Sequence, residues 1–324
     1  MRAALVEPQA GRLVLADVAT PVPSADQLLI RVRGAGVNRA DLAIISGQYH
    51  GTAAAKPFVA GGELAGEVVE VGSAVTGWRV GDRVMAMGRG YAEFAVVDAA
   101  LAWPVSESLD ITVAGALPVA LATMHDALFT NGRFATGEHV IVNAASSGVG
   151  VVGVRRALHA GAATVIGTSR SAVKRQQLTD LVGDDRFVAI SPEDLVAMVA
   201  ERTGDHGIDV VLDNVGAAAL AGNIAAAAIT GRIVQIGRLG GRTGTLDLDE
   251  LARKRIALIG VTFRTRTAQE RINVAQRAWA AMAAGVNAGA VLPVVHERYP
   301  LADVATALEA LAQDRHVGKL VVIP

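Results

Sequence analysis

From residue 139 onward the apolar positions come in short unbroken blocks, without alternation. Val140-Ile141-Val142, Thr164 to Ser169, Arg186 to Ile190, Asp209 to Asp213, Arg232 to Ile236 and Ala257 to Phe263 each read as a strand. Continuous apolar blocks suit strands buried on both faces. Between them, Ala172 to Leu181 and Pro192 to Thr203 read as helices. The second carries proline in its first turn, where the missing N–H costs nothing. Strands alternating with helices predict right-handed βαβ units and a parallel sheet.

The first of these strands runs into Asn143-Ala144-Ala145-Ser146-Ser147-Gly148-Val149-Gly150-Val151-Val152-Gly153. The order is strand, glycine-rich turn, apolar helix. Such a turn lets a pyrophosphate approach bare backbone N–H groups at the positive end of a helix. A glycine-rich turn alone is a weak signal, because plain turns use the same residues. Set at the head of a serial strand–helix alternation, it marks a Rossmann domain, with Ser147, Gly148, Val149 and Gly150 as cofactor-binding candidates. Ligands of such sheets sit outside the carboxyl ends of the strands, which adds Gly237 and Arg238 after the fifth strand.

Residues 1 to about 116 carry a different pattern. Leu28 to Arg33 and Glu67 to Gly72 read as strands, punctuated by Gly77-Trp78 and Gly81-Asp82, so an all-β region is expected. After Phe263, Ala268 to Ala284 reads as an amphipathic helix stopped by Gly285. Val291 to Val295 reads as a strand, Leu301 to Ala312 as a helix and Lys319 to Ile323 as a last strand. A tail of that make-up can rejoin the first region. The expected architecture is therefore α/β. A Rossmann doubly wound parallel sheet, residues 117–263, is inserted in a mostly-β domain of residues 1–116 plus 264–324. A small-molecule cleft between the two is expected.

Composition narrows the function classes. The chain has 324 residues, with 30 Lys plus Arg against 31 Asp plus Glu, a formal net charge of −1. That balance gives no reason to expect nucleic acid or an anionic membrane as partner. The absence of cysteine removes disulfides, thiolate nucleophiles and thiolate zinc ligands. Glu7 and Pro8 come too early for a signal-peptide core, and no apolar run reaches about 18 residues. A cytoplasmic protein is the expectation. None of the seven histidines has a metal-ligand spacing.

Several segments, taken in order, resemble the zinc-free quinone oxidoreductase (zeta-crystallin-like) branch of the medium-chain dehydrogenase/reductase superfamily. They are Gly36-Val37-Asn38-Arg39-Ala40-Asp41, Gly47-Gln48-Tyr49, Gly61 to Val68, Gly81-Asp82-Arg83-Val84, Gly90 to Phe94, Asp209 to Gly216 and His316 to Val321. The resemblance implies a GroES-like first domain and places the segment Phe263 to Arg266 beside the dimer seam of similar proteins. It places Asn38 near nicotinamide and acceptor, Tyr49 in the acceptor cleft, Thr123 against the nicotinamide and Asn214 at the cofactor. It also sets Phe263 and Arg264 beside the nicotinamide, where Arg264 and Arg266 read equally as solvated or interface charges. For Asn38 and Asp41 the competing reading is turn architecture, and it is preferred for Asp41. For Tyr49 it is a half-buried loop aromatic, and for Thr123 a hydroxyl bonded to its own helix. His125 reads as a satisfied helix histidine in preference to a general acid.

Zinc alcohol dehydrogenases of this superfamily carry a ligand Cys where Asn38 stands and a ligand His where Gly62 stands. A structural zinc lobe needs about four cysteines. The resemblance therefore implies a metal-free site and an acceptor that is already electrophilic, a quinone or an α,β-unsaturated carbonyl. Two departures from the branch bear on that acceptor and cofactor. Ala189-Ile190-Ser191 stands where many relatives have a tyrosine packed on the adenosine half. Aromatic content is only 4%, which leaves open an aliphatic enone in place of a flat quinone.

The choice of nicotinamide follows from the second strand of the parallel sheet. NAD-binding domains place an acid after it to hold the ribose 2′-OH. Here Ser169, Arg170, Ser171 and Lys174 follow, with no carboxylate. Arginine's planar fork suits a 2′-phosphate, so NADPH is expected. The bland alternative is a pair of solvated charges at a helix start. The reading is an NADPH-dependent, zinc-independent reductase protonated by water or Tyr49. Its rivals are an enoyl or imine reductase of a specialised biosynthetic pathway and a non-catalytic NADPH-binding structural or regulatory protein. The apolar edge strand Ala257 to Phe263 needs covering, which a homodimer supplies.

Overall fold

Met1–Ala120, Arg264–Ala283 and Pro293–Pro324 form one structural unit, and Leu121–Phe263 with Ala284–Leu292 form the other. The computed structural model describes residues 1–47 and 56–324. Along the first stretch lie β1 (Arg2–Glu7), β2 (Arg12–Asp17), β3 (Gln27–Gly36), α1 (Arg39–Ile45), β4 (Phe58–Val59), β5 (Leu64–Val71), β6 (Arg83–Ala86), β7 (Phe94–Asp98), β8 (Ala102–Pro104) and α2 (Ile111–Ala114). Helix α3 (Pro118–His125) follows and continues as a π-helical turn, Asp126–Asn131.

The second unit alternates strand and helix: β9 (His139–Val142), α4 (Gly148–His159), β10 (Thr164–Thr168), α5 (Ala172–Val182), β11 (Phe187–Ile190), α6 (Leu195–Thr203), β12 (Ile208–Asp213), α7 (Ala217–Ala226), β13 (Ala227–Gln235), α8 (Leu248–Arg253) and β14 (Ala257–Gly260). Its six strands are all parallel, in the order β11-β10-β9-β12-β13-β14. Numbered by sequence within the unit this is 3-2-1-4-5-6, the doubly wound dinucleotide-binding arrangement. Ile141, Ile166, Val211 and Ile233 from neighbouring strands share one buried cluster with Leu195 and Val199 of α6 and Ile224 of α7. Val140, Val142, Val210 and Leu212, at the alternate positions, are buried as well, and this two-sided burial is what the continuous apolar blocks encode.

The chain then returns through α9 (Ala268–Asn287), β15 (Val295–Pro300), α10 (Val304–Gln313) and β16 (Lys319–Ile323). In the first unit β16 pairs antiparallel with β3, and the sheet runs β15-β16-β3-β5-β6-β8 with β7 also on β3. A second, three-stranded sheet has the order β2-β1-β4. Leu28, Ile30 and Val32 of β3 join Leu320 and Val322 of β16 and Leu308 of α10 in a single core.

The fold is α/β, as expected, but several elements differ from the pattern. The first region is not purely β, since it contains α1 and α2. Seven and four residues respectively, they are too short to show helical periodicity. Helix α9 runs through Gly285 to Asn287, because an interior glycine weakens a helix without ending it. Gly289, at φ +77°, supplies the left-handed turn beyond it. The strand expected at Val291 to Val295 begins only at Val295, past Pro293. Strand β14 ends at Gly260, short of Phe263.

Candidate functional site

In the second unit the connections reverse direction between β9 and β12, which makes the carboxyl ends of these two strands the switch point of the sheet. Ser147 caps α4 there, its Oγ accepting from Gly150 N–H at 3.0 Å. The remaining first-turn amides, Gly148 and Val149 among them, have no partner within the helix. A Cβ on Gly150 would lie 2.4 Å from the Ala144 carbonyl oxygen, so the turn closes this tightly only with glycine. The arrangement offers free N–H groups and a helix dipole to an anion.

The turn after β10 lies beside it, with Ser146 Oγ 3.4 Å from Ser169 Oγ. Ser171 caps α5 through its Oγ, which accepts from Lys174 N–H at 3.3 Å. Arg170 is exposed and Lys174 is buried, so these two cations are not an equivalent solvated pair. Arg175, which no sequence motif marks, donates from Nη1 to the carbonyls of Ser169 at 2.9 Å and Arg170 at 3.1 Å. It thereby fixes the backbone of the turn that carries Arg170.

After β12, Asn214 donates from Nδ2 to the Asn143 carbonyl at 3.0 Å. Gly237 N–H donates to the Asp213 carbonyl at 3.0 Å, and Arg238 is exposed. Sequence alone assigns no role to Asp213 or Asn143, yet both are buried here. Asp213 Oδ1 accepts from the N–H groups of Val215 at 2.8 Å and Gly216 at 3.0 Å. Burial pushes its carboxyl above the ordinary carboxylate value, against the pull of those two amides and of Asn143. The residues expected to bind cofactor at 147–150, 169–174, 214 and 237–238 thus stand at the ends of β9, β10, β12 and β13. Thr123, Phe263 and Arg264 are half-buried, on α3 and beyond β14. His125 is buried and stacks on Phe129, ring centroids 5.1 Å apart.

The first unit holds a buried charged network around Asn38. Asn38 is the N-cap of α1, and its N–H donates to Asp41 Oδ2 at 2.8 Å. Its amide is fully engaged as a donor, from Nδ2 to Glu63 Oε1 at 2.9 Å and to the Gly36 carbonyl at 3.2 Å. Lys319 Nζ donates to Asn38 Oδ1 at 2.7 Å and to Glu63 Oε1 at 2.5 Å. Glu63 Oε2 accepts the Val119 N–H at 2.7 Å, capping α3. Asn38 retains only acceptor capacity toward a bound molecule.

Asp41 and Tyr91 extend the network, with the Tyr91 hydroxyl donating to Asp41 Oδ2 at 2.6 Å. Burial raises the Asp41 carboxyl to about 6; Tyr91, Asn38 and Lys319 pull it down, and Glu63 pushes it up. Burial and the neighbouring Asp41 hold the Tyr91 phenol well above its ordinary value. Gly36 is required because a Cβ there would lie 2.3 Å from Glu63 Oε1. Sequence reasoning missed Glu63 and Lys319 as partners of Asn38 and Tyr91 as a partner of Asp41; a lysine and a glutamate beside otherwise apolar strand residues were the available signal. Tyr49 lies outside the described residues. Among the described residues no group of three or more His, Cys, Asp or Glu could hold a metal ion, and no helix is long and apolar enough to cross a membrane.

Comparison with known proteins agrees with this geometry. Residues 24–107 match the alcohol dehydrogenase GroES-like domain family, and residues 182–322 the zinc-binding dehydrogenase family. The quinone oxidoreductase of Rattus norvegicus is 30% identical over 313 residues, covering 95% of this chain and 92% of the relative. A phenolphthiocerol/phthiocerol polyketide synthase component of Mycobacterium tuberculosis is 31% identical over 309 residues, 93% of this chain but 14% of that protein. Among solved structures, an alcohol dehydrogenase superfamily protein from Novosphingobium aromaticivorans superposes with a TM-score of 0.90 at 28% identity, covering 100% of this chain and 99% of the other. A mycobacterial protein complexed with NADPH gives 0.84 at 31% identity over 100% of both chains. An oxidoreductase by this likeness, the chain belongs to the quinone oxidoreductase branch of the medium-chain dehydrogenase/reductase superfamily.

Proposed function

We propose that the protein is an NADPH-dependent, zinc-independent reductase that delivers hydride to a quinone or an α,β-unsaturated carbonyl. The observation that carries the reading is the pair of turns at the switch point, one closing on a capped helix N-terminus and the next bearing Arg170 with no carboxylate. Those turns fit a dinucleotide with a 2′-phosphate, and the NADPH-complexed mycobacterial neighbour supports the same choice. When bound, NADPH supplies the hydride.

The chain's own residues do the rest. Ser147 holds the helix start so that Gly148 and Val149 present their amides to a pyrophosphate. Arg170, with Ser169, Ser171 and Lys174, receives the 2′-phosphate, on a turn fixed by Arg175. Asn214, Gly237 and Arg238 border the same edge. Asn38, Thr123, Tyr49, Phe263 and Arg264 are assigned to the nicotinamide and acceptor side. Asn38 and Gly62 are not the Cys and His that zinc requires in the superfamily's alcohol dehydrogenases, so no Lewis acid is assigned. The acceptor must be electrophilic already, and the proton comes from water or Tyr49. Open strand β14 is assigned to a homodimer.

A second reading, reduction of an enoyl group in a biosynthetic chain, is favoured by the likeness to the polyketide synthase component. One experiment separates them. Purified protein is given NADPH or NADH with a benzoquinone, a polycyclic quinone, an alkenal, a cyclic enone and an enoyl thioester, and nicotinamide oxidation is followed. Turnover of a quinone or enone with NADPH supports the proposal. Turnover of the thioester alone supports the second reading, and tight NADPH binding without turnover supports a non-catalytic role.

A further inference from the structure

Asn143 lies one residue past β9, where the strand gives way to the glycine-rich turn. Only 2% exposed, it bonds to β10, α7 and the end of β12 around the switch point. Its Oδ1 accepts from Thr168 Oγ1, at the end of β10, at 2.9 Å. Its Nδ2 donates to Asn223 Oδ1 on α7 at 2.7 Å, with Asp213 Oδ1 at 3.4 Å. Its carbonyl accepts from Asn214 Nδ2, and its N–H donates to the Leu212 carbonyl at 3.0 Å.

This is a costly way to fill a core. Asp213 Oδ2 and Asn223 Nδ2 are buried with no hydrogen-bond partner, and buried polar groups left unsatisfied cost stability that apolar residues of the same shape would not. Satisfied bonds in such networks do rigidify what they join. What they join here is strained. Ala144, the next residue, sits at φ +53°, a region L side chains adopt only at a cost. Such geometry persists where its neighbours over-determine it. On one side is Asn143. On the other, Ala145 N–H donates to the Thr168 carbonyl and Ser147 N–H to the Ala144 carbonyl, both at 3.0 Å. That Ala144 carbonyl is the one against which Gly150 closes.

We propose that Asn143 is the positioning residue of the dinucleotide turn, holding Ala144 in its left-handed geometry and so aiming the first amides of α4. It acts through the turn and touches no reacting atom. The inference rests on the reading that this turn binds NADPH.

The test is cofactor binding itself, by fluorescence titration with NADPH and NADP⁺, beside thermal melts of the same samples. Asn143→Ala is expected to weaken NADPH binding tenfold or more. Asn143→Asp keeps the shape but turns a carboxylate oxygen toward Asp213 Oδ1. It is expected to bind NADP⁺ poorly at about pH 8 and to recover relative to wild type at about pH 5.5, as paired carboxylates share a proton. Should Asn143→Ala not fold, Thr168→Val removes one bond of the same residue and is expected to weaken binding about threefold. Affinities within twofold of wild type for the variants that fold, with only the melts lowered, overturn the proposal. So does an Asn143→Asp affinity that follows wild type across pH. A wild-type protein that does not bind NADPH overturns the proposed function itself and this inference with it.

Discussion

Arg170 is exposed at the end of a turn whose backbone is already fixed by Arg175, so the proposed 2′-phosphate contact requires no reordering of the main chain. Arg170→Ala is expected to weaken NADPH binding by about 1.5–3 kcal/mol, the scale of a charged hydrogen bond, or roughly tenfold and more in Kd. NADH binding should stay near wild type. Calorimetric titration with both nucleotides checks this, and equal losses for the two would refute it. Thr230 poses the opposite problem. It is a β-branched residue at φ +64°, exposed in β13 where the pairing with β12 is irregular. Asparagine tolerates this region better. Thr230→Asn should therefore raise unfolding stability by about 1 kcal/mol, read as a higher urea midpoint with an unchanged slope. A lower midpoint would contradict it.

At the level of elements, the capping of α1 gives the protein a pH signature. Asp41 accepts the Asn38 N–H and the Tyr91 hydroxyl, and burial raises its carboxyl from 3.8 to about 6. The fold therefore binds this proton more tightly than the unfolded chain does. The stability this contributes is present in full below pH 3.8 and is lost as pH rises through about 6. Asp41→Asn removes the titration while leaving an oxygen for the same donors. Its stability relative to wild type should improve between about pH 4 and 7, by up to roughly 3 kcal/mol for a shift of this size. Urea unfolding across that range checks it; parallel curves for the two proteins would show that Asp41 does not titrate in the fold.

Asp41 also marks how far the sequence could be read. The parallel strands were legible because β9, β10 and β12 are buried on both faces and so carry short apolar blocks that do not alternate. Helix α1 was not, since seven residues carry no period. The turn at 147–150 was legible from its glycines and that at 169–171 from cations and hydroxyls with no carboxylate; the serine caps of α4 and α5 were not. The partners Glu63 and Lys319 were not, because they lie 25 and 281 residues from Asn38. No local pattern encodes a contact made only by closing β16 onto β3.

For the whole molecule, the unanswered demand is the edge of the six-stranded sheet. Among the described residues strand β14 pairs only with β13, and Leu258 on it is 44% exposed. An open, apolar strand edge presents unpaired N–H and C=O groups to any matching strand, and proteins that stay monomeric blunt such edges with lysine, proline or bulges. Ala257-Leu258-Ile259-Gly260 has none of these. A second copy of the same strand answers the demand with a closed two-fold contact. The protein is therefore expected to sediment as a dimer at micromolar concentration. Leu258→Lys should raise the dimer dissociation constant at least tenfold, because a charge at the edge must be desolvated for the strands to meet. The melting temperature of the wild type should climb with protein concentration and that of the variant should climb less, since association stabilises only the folded chain. A wild type that sediments as a monomer leaves β14 an open edge and withdraws the homodimer.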